Sequence, residues 1–139
     1  MNRSRSFSKS ASFAFSAAFC LLALGVSGIN STAHAANVVL NTSQIKGLLA
    51  NRTIKQVDDQ YYAYYTSGGQ VKALYVNAVE NGSWSVANNQ VCHQWQTWNK
   101  GKRSCFFVIQ GQQGAYRFQD ASANDGFNFT LKNGNQQGL

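Results

Sequence analysis

A chain of 139 residues has room for one domain, and its 12 Lys and Arg against five Asp and Glu carry a formal charge of +7. Hydrophobic residues make up 44% and proline is absent, so the composition is that of a folding chain with nothing to interrupt continuous β pairing.

Taken from the N-terminus, residues 1–35 read as an export signal. Arg3, Arg5 and Lys9 form a basic start, an apolar run extends from Ala11 to Val26, and Ala33-His34-Ala35 supplies a small-x-small cleavage pattern before Ala36. The run is too short and too rich in Ser, Ala and Gly for a spanning helix, which needs roughly 20 apolar residues; the alternative is an N-terminal anchor that is never cut. Cys20 is not read as a lipoprotein cysteine, because bulky Phe19 precedes it and the apolar run continues past it. Cleavage leaves residues 36–139 as a single periplasmic or secreted domain with no transmembrane span. Nine basic and five acidic residues then remain, a net charge of +4. That is short of a nucleic-acid footprint but suits anionic surfaces or acidic partners. Three cysteines become two, and an even pair in an exported domain reads as a Cys92–Cys105 disulfide. Closing a ring of about 14 residues, it contributes ~3 kcal/mol on chain-entropy grounds.

The mature chain opens on a short apolar segment, Asn37 to Leu40. Thr42-Ser43 then caps a helix of about two turns, with Ile45, Leu48 and Leu49 on one face and Gly47 weakening it. Beyond Arg52 the pattern is strand. Thr53–Val57, Tyr61–Tyr65, Val71–Val76, Ser83–Val86, Gln90–Trp95, Cys105–Ile109, Tyr116–Phe118 and Phe127–Leu131 are separated by turn signals at Asp58-Asp59, Ser67-Gly68-Gly69, Asn81-Gly82, Asn88-Asn89, Gln112-Gln113-Gly114 and Asn124-Asp125-Gly126. Eight short strands at this spacing predict an all-β antiparallel meander closing into a small barrel with a short N-terminal helix; a β-sandwich is the alternative. The polar tail from about 133 is expected to fray.

A tight hairpin turning at Lys100-Gly101 would set Cys92 opposite Ile109 and Cys105 opposite Gln96, leaving the cysteines ~13 Å apart along the ladder. A disulfide requires Cα atoms within roughly 7 Å. The bridge therefore favours Cys92 opposite Cys105, with residues 93–104 forming a stapled excursion beyond the ladder. This segment holds Trp95, Trp98, Lys100, Lys102 and Arg103. Indole faces stack on sugars or bases, and cations pair with carboxylates or phosphates, so these five residues form a candidate binding loop. The competing reading has Trp95 filling the barrel end and the cations solvated. Likewise the tyrosines at 61–65 form either a stacking platform or both faces of a central strand.

No metal site is expected. Adjacent Cys92 and His93 point to opposite faces of a strand, and no fourth ligand accompanies Cys105. No cofactor motif occurs, and no acid/base pair stands at a useful spacing. Asn41, Asn51, Asn81 and Asn128 open Asn-x-Ser/Thr triplets, a frequency that chance explains in a chain rich in these residues.

Gly82-Ser83-Trp84, Val91-Cys92-His93-Gln94-Trp95, Ser104-Cys105-Phe106-Phe107-Val108 and Tyr116-Arg117-Phe118 together resemble a group of small exported bacterial β domains of unknown function. These share a Gly-x-Trp strand, a Cys…Trp…Cys segment and a late Tyr-x-Phe-like strand. The resemblance covers residues 50–135 and implies a lipocalin-like barrel. Exported barrels of this size also include periplasmic inhibitors of lysozyme and of proteases. The expected function is a non-catalytic binding module for a small-molecule, glycan or protein ligand, with no nucleic-acid partner. Inhibition of a lysozyme or protease is the first alternative and a small hydrolase the second.

Overall fold

The computed structural model describes residues 37–57 and 60–139; the expected export signal and the expected turn at Asp58-Asp59 lie outside the described residues. β1 (Val38–Val39) leads into α1 (Thr42–Leu49). The helix is capped one residue earlier than expected. The Asn41 side chain accepts from the Gln44 backbone N–H at 2.9 Å, and the Gln44 side chain accepts from the Asn41 N–H at 2.9 Å. This reciprocal pair satisfies two otherwise orphaned donors, and Asn caps at least as well as Thr.

Eight strands follow: β2 (Arg52–Gln56), β3 (Tyr61–Tyr65), β4 (Gln70–Tyr75), β5 (Ala78–Ala87), β6 (Gln90–Trp95), β7 (Arg103–Gln110), β8 (Tyr116–Gln119) and β9 (Gly126–Asn133). Each pairs antiparallel with the next, and β9 returns to pair with β2. The ring is thus a closed eight-stranded barrel rather than a sandwich, and closure removes the open edges that would template aggregation. β1 adds to the end of β7 through Val38↔Gln110 and Val39↔Ile109.

Side chains alternate across each strand. Ile54, Ala63, Tyr65, Val71, Ala73, Trp84, Val91, Val108, Phe118 and Phe129 are buried together. Ala63 and Ala73 are direct cross-strand partners; their small volume accommodates the rings that fill the remaining interior. Leu40, Ile45 and Leu49 join this core from the helical segment, and α1 contacts β2, β5 and β6. It thereby closes the barrel end where β2 begins and β3 finishes.

One expectation about turns changes. Asn81-Gly82 lies within β5, and the β4–β5 hairpin closes instead at Val76-Asn77, flanked by the pair Tyr75↔Ala78. Val76 takes a left-handed φ of 56°, which is costly for a β-branched residue. The barrel's register outweighs local turn preference: a reversal at Asn81-Gly82 would take Glu80 and Trp84 off one continuous strand and off its inner face. The C-terminal tail also gains an anchor. The Thr53 hydroxyl donates to Gly134 O at 2.7 Å and accepts from Gln136 N at 3.0 Å, ahead of a 3-10 turn at Gln136–Gly138.

Cys92 and Cys105 are direct partners on β6 and β7 and are disulfide-bonded, with Cα atoms 4.0 Å apart. The ladder does not stop there. His93↔Ser104 and Gln94↔Arg103 continue it, so the stapled excursion shrinks to a connection over residues 96–102. Replacing both cysteines by alanine should lower unfolding free energy by ~3 kcal/mol while keeping the barrel. Urea denaturation of the oxidised protein and the double variant measures this, and two free thiols in the non-reduced mass spectrum of the parent protein would contradict the bridge.

Candidate ligand-binding site

The end of the barrel opposite α1 opens into a cavity of about 360 Å³. Alternation along the strands delivers its wall. Tyr61 begins β3, Trp95 ends β6, Phe106 lies on β7, Phe118 on β8 and Phe127 on β9, and all five line the space. The sixth ring, Trp98, comes from a 3-10 turn at Trp98–Gly101. Asn99, Lys100 and Gly101 take successive left-handed φ values of 53°, 55° and 69°. That reversal folds the connection back, so Trp98 lies 5.2 Å from the Trp95 ring and 6.4 Å from the rings of Tyr61 and Tyr75. Both tryptophans are half-buried. Trp95 ends β6 and faces the barrel end, as the competing reading had it, and Trp98 turns inward over the mouth rather than outward on an arm.

Two residues that the sequence did not mark as part of a site set this geometry. Glu80 reaches across from β5, its carboxylate accepting the Thr97 N–H at 2.9 Å and the Thr97 hydroxyl at 2.5 Å. The hydroxyl bond is the main reason its pKa lies below the usual carboxylate value. This brace fixes the residue immediately before Trp98. Gly82, the cross-strand partner of Trp95, is the second. A Cβ there would fall 2.9 Å from Trp95 Cε3 and 2.7 Å from Gln94 O. The absence of a side chain lets the indole lie across the glycine backbone, a pairing of ring and glycine known to steady β structure. Gly82→Ala should destabilise the barrel by ~1–3 kcal/mol through overpacking. Combining it with Trp95→Leu should recover part of that loss in thermal unfolding.

His93 lines the inner part of the cavity and is only 4% exposed. Its Nε2 lies 2.8 Å from the Tyr65 hydroxyl, and its ring is nearly parallel to Trp95 at 11° and 5.8 Å. Phe106 and Phe118 flank it at 6.1 and 5.7 Å. Burial among these rings pushes its pKa down to about 4, so it is neutral at physiological pH. Burial raises the hydroxyl pKa of Tyr61, and that of Tyr65 with a further contribution from Tyr61, so both stay protonated.

A depressed histidine pKa means that between about 6.5 and 4 the unfolded chain binds a proton the folded chain refuses. Stability therefore rises with pH across that window and is level above it. Lowering the pH from about 7 to about 4 should cost roughly 3 kcal/mol from this residue. Thermal unfolding as a function of pH should show the slope in the parent protein and lose it in His93→Gln.

The cations do not join the cavity. Lys100, Lys102 and Arg103 are exposed, and the Arg103 guanidinium donates to the Ser85 hydroxyl at 3.0 Å. The polar lining comes instead from Asn99, Ser104 and Asp125. Ser104, His93 and Asp125 are hydrolase residue types, yet their hydrogen bonds run elsewhere. Ser104 Oγ accepts from Asn99 Nδ2 at 2.8 Å, Asp125 Oδ1 accepts from the Gly126 N–H at 2.8 Å, and His93 pairs with Tyr65. Among the described residues no group of three or more His, Cys, Asp or Glu is placed to hold a metal. No protein-family model, curated protein or solved structure matches this chain.

Proposed function

We propose that this domain is an exported, non-catalytic binding module that receives a small, largely apolar ligand through the open end of the barrel. The supporting observation is the cavity of about 360 Å³ walled by Tyr61, Trp95, Trp98, Phe106, Phe118 and Phe127. Its size falls at the small end of the range for ligand sites, about 300–1,000 Å³, and its make-up follows their pattern of an aromatic wall with a few polar groups. The Cys92–Cys105 disulfide is compatible with a compartment outside the cytoplasm. Among the described residues no helix is long and apolar enough to cross a membrane. A periplasmic or secreted location after cleavage near Ala36 rests on the signal pattern. The Gly-x-Trp…Cys…Trp…Cys resemblance to small exported β domains fits this reading, with Gly82 and Trp95 in direct apposition.

The neutral fluorophore N-phenyl-1-naphthylamine tests it. Saturable binding with one site per chain is expected. Trp98→Ala should weaken it by roughly 1–3 kcal/mol, the scale of a lost stacking face. Replacing Lys100, Lys102 and Arg103 together by alanine should leave it unchanged at low and high salt. The reverse pattern, with the cations decisive at low salt and Trp98 indifferent, would return the site to the outer face of the loop.

One observation favours a second reading. Val57, Tyr75, Val76 and Val79 are exposed at strand ends and a hairpin tip around the same open end. An apolar rim of this kind suits contact with another protein, as the inhibitor expectation requires. Stoichiometric loss of lysozyme or secreted-protease activity on titration with the domain would select that reading over small-molecule binding.

A further inference from the structure

The hydrogen bond between Tyr65 and His93 determines which atom the cavity offers a ligand. The Tyr65 side chain is fully buried, and among the described residues its hydroxyl has His93 Nε2 as its only side-chain partner. A buried hydroxyl proton without an acceptor is costly. The proton must therefore lie on the line to Nε2, with Tyr65 donating and Nε2 accepting. Burial keeps the imidazole neutral, and a neutral imidazole that accepts at Nε2 carries its proton at Nδ1. Among the described residues Nδ1 has no hydrogen-bond partner, and no buried side-chain nitrogen or oxygen is left unsatisfied. Nδ1 therefore meets accessible space, and of the two spaces His93 borders, the one walled by the Trp95, Phe106 and Phe118 rings that surround its imidazole is the aromatic cavity, the other being a small pocket beside Ser85 and Arg103.

We propose that His93 presents a fixed Nδ1–H donor inside the cavity, and that the site selects uncharged, flat ring ligands bearing a carbonyl oxygen. This rests on the binding-module reading above and gives it a chemical class. The wall of six aromatic side chains favours a planar ring system. A fixed donor on the inner wall, deeper than Asn99 and Ser104 at the mouth, favours an acceptor on the inward edge of the ligand. Among the described residues Asp125 is the one acidic side chain lining the cavity, and it disfavours a carboxylate in place of the carbonyl. A donor that loses its water to a ligand without an acceptor is left unpaired, which is how a buried polar group discriminates between otherwise identical rings.

Xanthone and xanthene differ by a ketone against a methylene in the same three-ring frame. Displacement of N-phenyl-1-naphthylamine from the purified protein compares them, with xanthene-9-carboxylate as the charged member. Xanthone should bind about ten- to a hundred-fold more tightly than xanthene, and more tightly than the carboxylate. In Tyr65→Phe/His93→Leu, which removes both hydrogen-bond partners together, the ratio of xanthone to xanthene affinity should fall to near one. Long-range 1H–15N spectra of the unliganded parent protein should show His93 in the Nδ1–H form, a readout independent of whether that variant folds. Equal binding of xanthone and xanthene by the parent protein, tighter binding of the carboxylate, or an Nε2–H tautomer would each overturn the proposal and leave the binding module standing. Failure of N-phenyl-1-naphthylamine itself to bind would remove the reading beneath it.

Discussion

Closure of the sheet between β9 and β2 is the constraint on which the rest of the molecule depends. Once eight strands form a ring, every residue on the inner face must fit a fixed volume, and every strand must keep its register around the circle. Paired Ala63 and Ala73 beside Tyr65, Trp84, Phe118 and Phe129 are the result of that volume limit. So is the placement of Gly82 opposite Trp95. A ring with no free edge also has only its two ends for access, and the chain treats them differently. Ile45 and Leu49 of α1 join the core at one end. At the other, the turn at residues 98–101 brings one more ring over the mouth without sealing it.

The polarity of the interior follows the same asymmetry. His93 and Tyr65 satisfy one another between the two ends, so a hydrogen-bonding group resides among aromatic rings without an uncompensated charge. Glu80 brings a carboxylate to the mouth, where Thr97 neutralises its hydrogen-bonding demand and receives in return a fixed backbone. These two interactions divide the labour of the site. One places a donor inside the cavity, the other holds the roof that carries Trp98.

Much of the fold was legible because a half-buried strand repeats every two residues. All eight barrel strands were visible as short β-branched and aromatic runs, and the helix as an i, i+3, i+4 set. The cysteine pairing was legible through geometry, since a disulfide fixes register directly. Asn81-Gly82 misled because turn propensity is local, whereas the length of β5 is set by its neighbours on both sides. The candidate site was only half legible. Trp95 and Trp98 were singled out for their chemistry, but the direction in which a loop folds depends on backbone angles at Asn99 and Lys100 and on a carboxylate 17 residues earlier in the chain. His93 was set aside because sequence gives no sign that Tyr65, 28 residues away, faces it across the interior. Nothing short of the register of four strands reveals that contact.

The strand-bound Asn81-Gly82 pair has one more consequence. Asn-Gly is the dipeptide most prone to spontaneous deamidation, because the glycine nitrogen swings easily onto the asparagine side-chain carbonyl. Here Asn81 is paired with Lys72 and Gly82 with both Val71 and Trp95, and Asn81 O accepts from Gln96 N at 3.0 Å. The extended ladder holds the attacking nitrogen away from its target. Ageing at this bond then proceeds only through molecules whose β5 has come loose, so the isoaspartate accumulated at position 81 becomes a chemical record of how often the barrel opens over days.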